Sequence, residues 1–109
     1  MSKTSRTLIT MPKTARKGEI IEIKAIVQHD METGFRHTEQ GKLIPRDIIR
    51  VFTCQFNGAE IFKADFFPAV GANPLLIFTV IATTSGTFQF SWAGDDGYLA
   101  INQSQISVT

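Results

Sequence analysis

The chain has one cysteine and two histidines in 109 residues. A lone thiol makes no internal disulfide and builds no thiolate metal cluster. Eleven basic residues against ten acidic ones leave a net charge of +1, too weak a field to gather nucleic acid or an anionic membrane. Long apolar runs are missing too: the longest, residues 74–82, has the length of a strand and not of a membrane span. No apolar stretch follows Met1-Ser2-Lys3-Thr4-Ser5-Arg6, so no secretory leader is expected. No serine lies in a nucleophile elbow, and no glycine-rich loop leads into a helix. Taken alone, these absences point to a cytoplasmic protein without an active site. The length suits one domain over 1–109 with a single core, and the scattered basic charges near the start suit a flexible segment over 1–6.

Helical periodicity is absent from every window of useful length, and two-residue alternation takes its place. The most informative stretch runs from Ile48 to Phe66, where two runs of aromatic and branched residues meet at Asn57-Gly58. That pair suits a two-residue type I′ turn, whose central residues both need positive φ. Upstream, Thr7 to Met11 reads as a strand stopped at Pro12. Glu19 to Gln28 reads as another, with Ile21, Ile23, Ala25 and Val27 on one face. Residues 29–45 are polar and contain Gly34 and Gly41, the character of a long loop.

Downstream, the two prolines and the glycine of Phe67 to Pro74 interrupt any ladder. Leu75 to Ala82 is a strand, and Ser85-Gly86 turns it into Thr87 to Ala93, where Phe88, Phe90 and Trp92 point inward. After a turn at 94–97, Tyr98 to Ile101 and Gln105 to Val108 close the chain. The pattern predicts an all-β fold, an immunoglobulin-like β-sandwich of about seven strands.

One strand departs from in-out alternation. Leu75, Ile77 and Ile81 make one apolar face of Leu75 to Ala82, and Leu76, Phe78, Val80 and Ala82 make the other. A two-sheet sandwich has one inner layer, so something else must cover the second face. The Phe66 to Pro74 segment is one candidate and a partner protein is another; the partner is assigned here to Leu76, Phe78 and Val80.

Chemistry-bearing residues are few. His29 with Asp30 and Glu32, and His37 with Glu39, lie in the polar loop without a ligand spacing, and read as surface residues. Asp95-Asp96-Gly97 lacks the later ligands of a calcium loop and reads as a turn. Cys54 shares a face with Phe52 and Phe56, which predicts a buried thiol of raised pKa. The reading is therefore no catalytic residue, no cofactor and no metal. An alternative remains: a stand-alone binding module, or a metal-site protein, that uses the 29–45 loop.

An ordered set of short pieces adds a family resemblance. His29-Asp30-Met31-Glu32-Thr33-Gly34, Ile44-Pro45-Arg46, Phe52-Thr53-Cys54, Phe56-Asn57-Gly58, Pro68-Ala69, Ala72-Asn73-Pro74, Gly86-Thr87-Phe88, Trp92 and Asp95-Asp96-Gly97 together resemble SoxZ, the Z subunit of the SoxYZ sulfur-carrier complex. Asp30 departs from the proline more usual there. The resemblance implies a non-catalytic subunit paired with SoxY, whose C-terminal cysteine holds sulfur intermediates of thiosulfate oxidation. It also implies passing contacts with other enzymes of that pathway, and a periplasmic location reached by co-export with SoxY. This chain ends Gln105-Ile106-Ser107-Val108-Thr109 without a Gly-Gly-Cys-Gly tail, so the resemblance is to the subunit that does not bear the carrier thiol.

Overall fold

A computed structural model describes residues 5–109. Most of the 1–6 segment expected to be flexible lies outside that range. Arg6 lies inside it, and its carbonyl accepts a hydrogen bond from the Gln28 N–H at 2.9 Å.

Among the described residues eight strands follow in order: β1 (Thr7–Thr10), β2 (Thr14–Ala15), β3 (Ile20–Val27), β4 (Ile49–Phe56), β5 (Ala59–Asp65), β6 (Leu75–Ile81), β7 (Gly86–Gly94) and β8 (Leu99–Val108). They form two sheets, a three-stranded one ordered β1-β3-β6 and a five-stranded one ordered β2-β8-β7-β4-β5. Every pairing is antiparallel except the short parallel contact of β2 with β8. This is an all-β sandwich of the immunoglobulin-like kind, as the alternation predicted.

The alternation also sets what lies between the sheets. Ile21, Ile23, Ala25 and Val27 of β3 are buried, as are Phe88, Phe90 and Trp92 of β7. Phe52 of β4 sits at the centre, its ring 5.1 Å from Trp92 in its own sheet and 5.9 Å from Phe78 in the other. Tilted and edge-on ring contacts of this kind join the inner faces of the two sheets.

The β4–β5 hairpin forms where Asn57-Gly58 predicted it. Asn57 has φ 50° and Gly58 φ 86°, and Phe56 pairs with Ala59 across the turn. The turn is also fastened to β7, because the Asn57 N–H donates to the Thr87 carbonyl and the Asn57 Oδ1 accepts from the Thr87 N–H, both at 3.0 Å. Further along, the register shifts: Gln55 pairs with Glu60 but Cys54 with Phe62, so Ile61 is an extra residue in β5.

Two details differ from the sequence reading. The segments read as 98–101 and 105–108 fall, apart from Tyr98, in one strand, β8, whose polar middle lies along β7. Residues Thr14–Ala15 make a two-residue strand, too short to leave a periodic signal.

Candidate partner-binding surface

Register decides which side of β6 meets the core. Antiparallel pairing sets Ile23 opposite Phe78, Ala25 opposite Leu76 and Ile21 opposite Val80. Those β3 residues are buried, so their β6 neighbours face inward with them. Phe78 is 8% exposed, and Leu76 and Val80 pack against the core cluster. Of the residues to which the partner was assigned, Phe78 is thus buried in the protein's own interior, and Leu76 and Val80 are half-buried against it; the three lie on the core side of β6 and not on its open side. Leu75, Ile77 and Ile81 are the outward set, at 52%, 54% and 63% exposure.

The same register builds a face around them. Across the three strands Leu8 stands beside Ile26 and Ile26 beside Leu75; Lys24 stands beside Ile77, and Ile20 beside Ile81. Leu8 and Ile20 are exposed by 62% and 69%. The charged residues of the outer face of β3, Glu22 and Lys24, lie 3.8 Å from one another and largely cancel. The outer side of the three-stranded sheet is thus an apolar plate with one neutralised ion pair in it. Large apolar patches of this kind mark contact sites. The Phe66 to Pro74 segment does not cover it, since Leu75 and Ile77 remain open to solvent. Covering each half-exposed isoleucine or leucine is worth roughly 1 kcal/mol.

A signal for this orientation was present in the sequence. Of the two β6 faces, the outward one holds the strand's only polar residue, Thr79, and its β3 neighbours include Glu22 and Lys24. The inward face holds none.

The chemistry-bearing residues are placed apart from this plate. Cys54 is fully buried between the pairing positions of Phe62 and Phe90, and burial pushes its thiol up to about 12. A thiol so buried is almost wholly protonated at neutral pH and correspondingly unreactive.

His29, read as a surface residue, is buried. The chain folds back at this point: the His29 N–H donates to the Asn73 side chain at 2.9 Å, and the Asn73 N–H donates to the His29 carbonyl at 2.7 Å. Its Nδ1 accepts the Met31 N–H at 2.9 Å, its Nε2 lies 3.8 Å from Asp47 Oδ1, and its ring meets Tyr98 edge-on at 4.7 Å. These contacts join the 29–45 loop to the sandwich. His37 belongs to a separate small bridge with Leu43. Among the described residues no three of His, Cys, Asp or Glu are grouped to hold a metal ion.

The rest of the loop is held by ion pairs. Arg36 bonds Glu32, and Arg46 grips Asp95 through two hydrogen bonds of 2.9 Å. The Ile48 N–H adds a third to Asp95 at 3.2 Å. Burial pushes the Asp95 carboxyl up, but the hydrogen bonds from Arg46 and Ile48 and the charges of Arg46 and Arg50 outweigh it, and the group sits below the usual carboxylate range. Phe35 and Leu43 project from this braced loop at 79% and 56% exposure.

Comparison with known proteins agrees with the fold and adds a family. A family model described as "Sulphur oxidation protein SoxZ" matches residues 9–104. No curated protein matches the chain in a sequence search. Among solved structures, superoxide reductase (neelaredoxin) from Ignicoccus hospitalis is similar with a TM-score of 0.76 at 18% identity, over 96% of this chain and 82% of that one. A putative superoxide reductase from Thermotoga maritima reaches a TM-score of 0.75 at 19% identity, over 99% and 94%. The sulfur carrier protein SoxY from Chlorobium limicola f thiosulfatophilum reaches 0.67 at 12% identity, over 98% and 83%. At such identities these likenesses speak of the fold alone.

Proposed function

The chain belongs to the SoxZ family of sulphur oxidation proteins, and on that premise we propose that it is a non-catalytic subunit which pairs with a SoxY-like carrier. In this reading the partner's cysteine bears the sulfur intermediates, while this chain binds the partner and helps present it to other enzymes of the pathway. The complex works in the periplasm, to which the two subunits are exported together.

One observation supports the pairing above the rest. Leu8, Ile20, Leu75, Ile77 and Ile81 stand more than half exposed on one side of a small sandwich whose core is otherwise well closed. A monomer gains nothing from such a plate, whereas a subunit interface is built of it. The buried state of Cys54 supports the division of labour, because a thiol held at about 12 is not available to take up sulfur. Phe35 and Leu43, exposed on the braced 29–45 loop, are suited to brief contacts with further enzymes.

Co-expression with a SoxY-like subunit tests this reading. The expected result is a stable one-to-one complex that survives size exclusion. A chain that stays monodisperse and ignores the carrier overturns it.

A further inference from the structure

The four outer strands of the two sheets are protected unequally. On the five-stranded sheet, β2 has two residues, and β5 has the extra residue Ile61 together with Glu60, Lys63 and Asp65. On the three-stranded sheet, β1 has only four residues. Short length, bulges and charges are the usual means of keeping an edge from pairing with another chain. β6 has none of them: it is seven residues long, its pairing with β3 is regular, and it contains no charge.

The hydrogen-bond phase shows what this edge offers. The Ala82 N–H donates to the Glu19 carbonyl at 2.8 Å, and pairing in an antiparallel ladder alternates. Val80, Phe78 and Leu76 therefore bond inward to β3, while the N–H and C=O groups of Ile81, Thr79, Ile77 and Leu75 point away from the sheet. Among the described residues, none of the turn, loop or cap bonds outside the ladders reaches those four. The residues with the free backbone are also those with the outward side chains. At the Ile81 end the edge opens on an apolar hollow of about 560 Å³, lined by Ile20, Phe56, Ile61, Val80, Ile81 and Ile106.

We propose that an extended segment of the SoxY-like partner pairs with the free edge of β6, adding a fourth strand to the three-stranded sheet, while the body of the partner rests on the outer plate. This rests on the pairing put forward above and specifies how it is made. Such strand addition takes affinity from main-chain hydrogen bonds and specificity from alternate side chains. The segment that fits is uncharged, with apolar residues at every second position and one of them seated in the hollow. A second copy of this chain fits less well. Two copies joined β6 to β6 lie in one continuous sheet, which leaves both outer plates bare, whereas a partner with a body and a segment covers plate and edge together.

Amide hydrogen exchange in the co-expressed complex tests this. Ile77 and Thr79 are expected to exchange within about tenfold of Phe78 and Val80, which β3 already protects. A companion variant, Thr79→Pro, removes an outward N–H and leaves the β3 ladder whole; it is expected to weaken the complex roughly tenfold. If it does not fold, the wild-type exchange rates decide. A complex whose Ile77 and Thr79 amides exchange like exposed ones, or which binds Thr79→Pro unchanged, overturns strand addition but leaves the pairing intact. Absence of any wild-type complex overturns the pairing itself. A chain that dimerises alone with the same amides protected makes the occupant a second copy and overturns the proposal.

Discussion

Phe62 of β5 and Phe78 of β6 lie with their rings parallel and their centres 4.3 Å apart. They come from different sheets, each from an edge strand, so this pair closes one side of the sandwich. Phe78 also meets Phe52, which joins it to the central aromatic group. The side chain that alternation alone offered to a partner is thus a clasp of the fold itself.

That placement separates stability from binding along one strand. Phe78→Ala is expected to cost about 3–5 kcal/mol of unfolding free energy through the cavity it leaves. Ile77→Ala, next to it and pointing outward, should stay within about 0.5 kcal/mol in the isolated chain. Urea unfolding of the two variants checks this, and equal losses would place β6 the other way round.

Two glycines should answer differently to the same substitution. A Cβ on Gly94 would lie 2.4 Å from the Ile48 carbonyl oxygen, at a backbone φ of −148° that any residue adopts. Gly94→Ala is therefore a steric fault, expected to cost roughly 2–4 kcal/mol. At Gly58 a Cβ has open space but φ is +86°, so Gly58→Ala should lose only the conformational preference, about 1–2 kcal/mol. Thermal unfolding of both variants gives the comparison.

Cys54 supplies a chemical test of the division of labour. With the thiol raised to about 12 by burial, the folded protein should resist alkylation at pH 8 and react promptly once denatured. Mass spectrometry after brief iodoacetamide treatment reads this directly. Rapid labelling of the folded chain would return Cys54 to consideration as a reactive centre.

The clamp on Asp95 predicts a pH dependence. Its folded pKa lies below the ordinary value, so its contribution is present above the unfolded pKa of about 3.9 and is lost as pH falls through the folded pKa beneath that. Arg46 is half exposed, and solvent screens the pair. Asp95→Asn is accordingly expected to cost roughly 1–2 kcal/mol at neutral pH. The difference from wild type should shrink below about pH 3.9. Denaturant midpoints across pH check the sign.

The parts of the fold legible in the sequence were those where one local rule acts alone. Asn57-Gly58 specified its turn because few residues accept positive φ at both positions. The single-sided alternation of Phe88, Phe90 and Trp92 gave the inward face of β7, and those residues are buried. Alternation loses its meaning in β6, where both faces are apolar; pairing with β3, a long-range fact, chose the side. The burial of His29 was hidden for the same reason, since it depends on Asn73, far along the chain. The candidate surface could be expected from an excess of apolar residues, but its address required the register.

Pairing through the outer plate is read most directly by calorimetric titration of this chain with a SoxY-like subunit at several temperatures. Burial of the plate formed by Leu8, Ile20, Leu75, Ile77 and Ile81 predicts one-to-one binding with a clearly negative heat-capacity change, both weakened by Ile77→Lys. Absence of binding, or binding with no heat-capacity change and no response to Ile77→Lys, would mean that this plate is not the surface on which the subunit pairs.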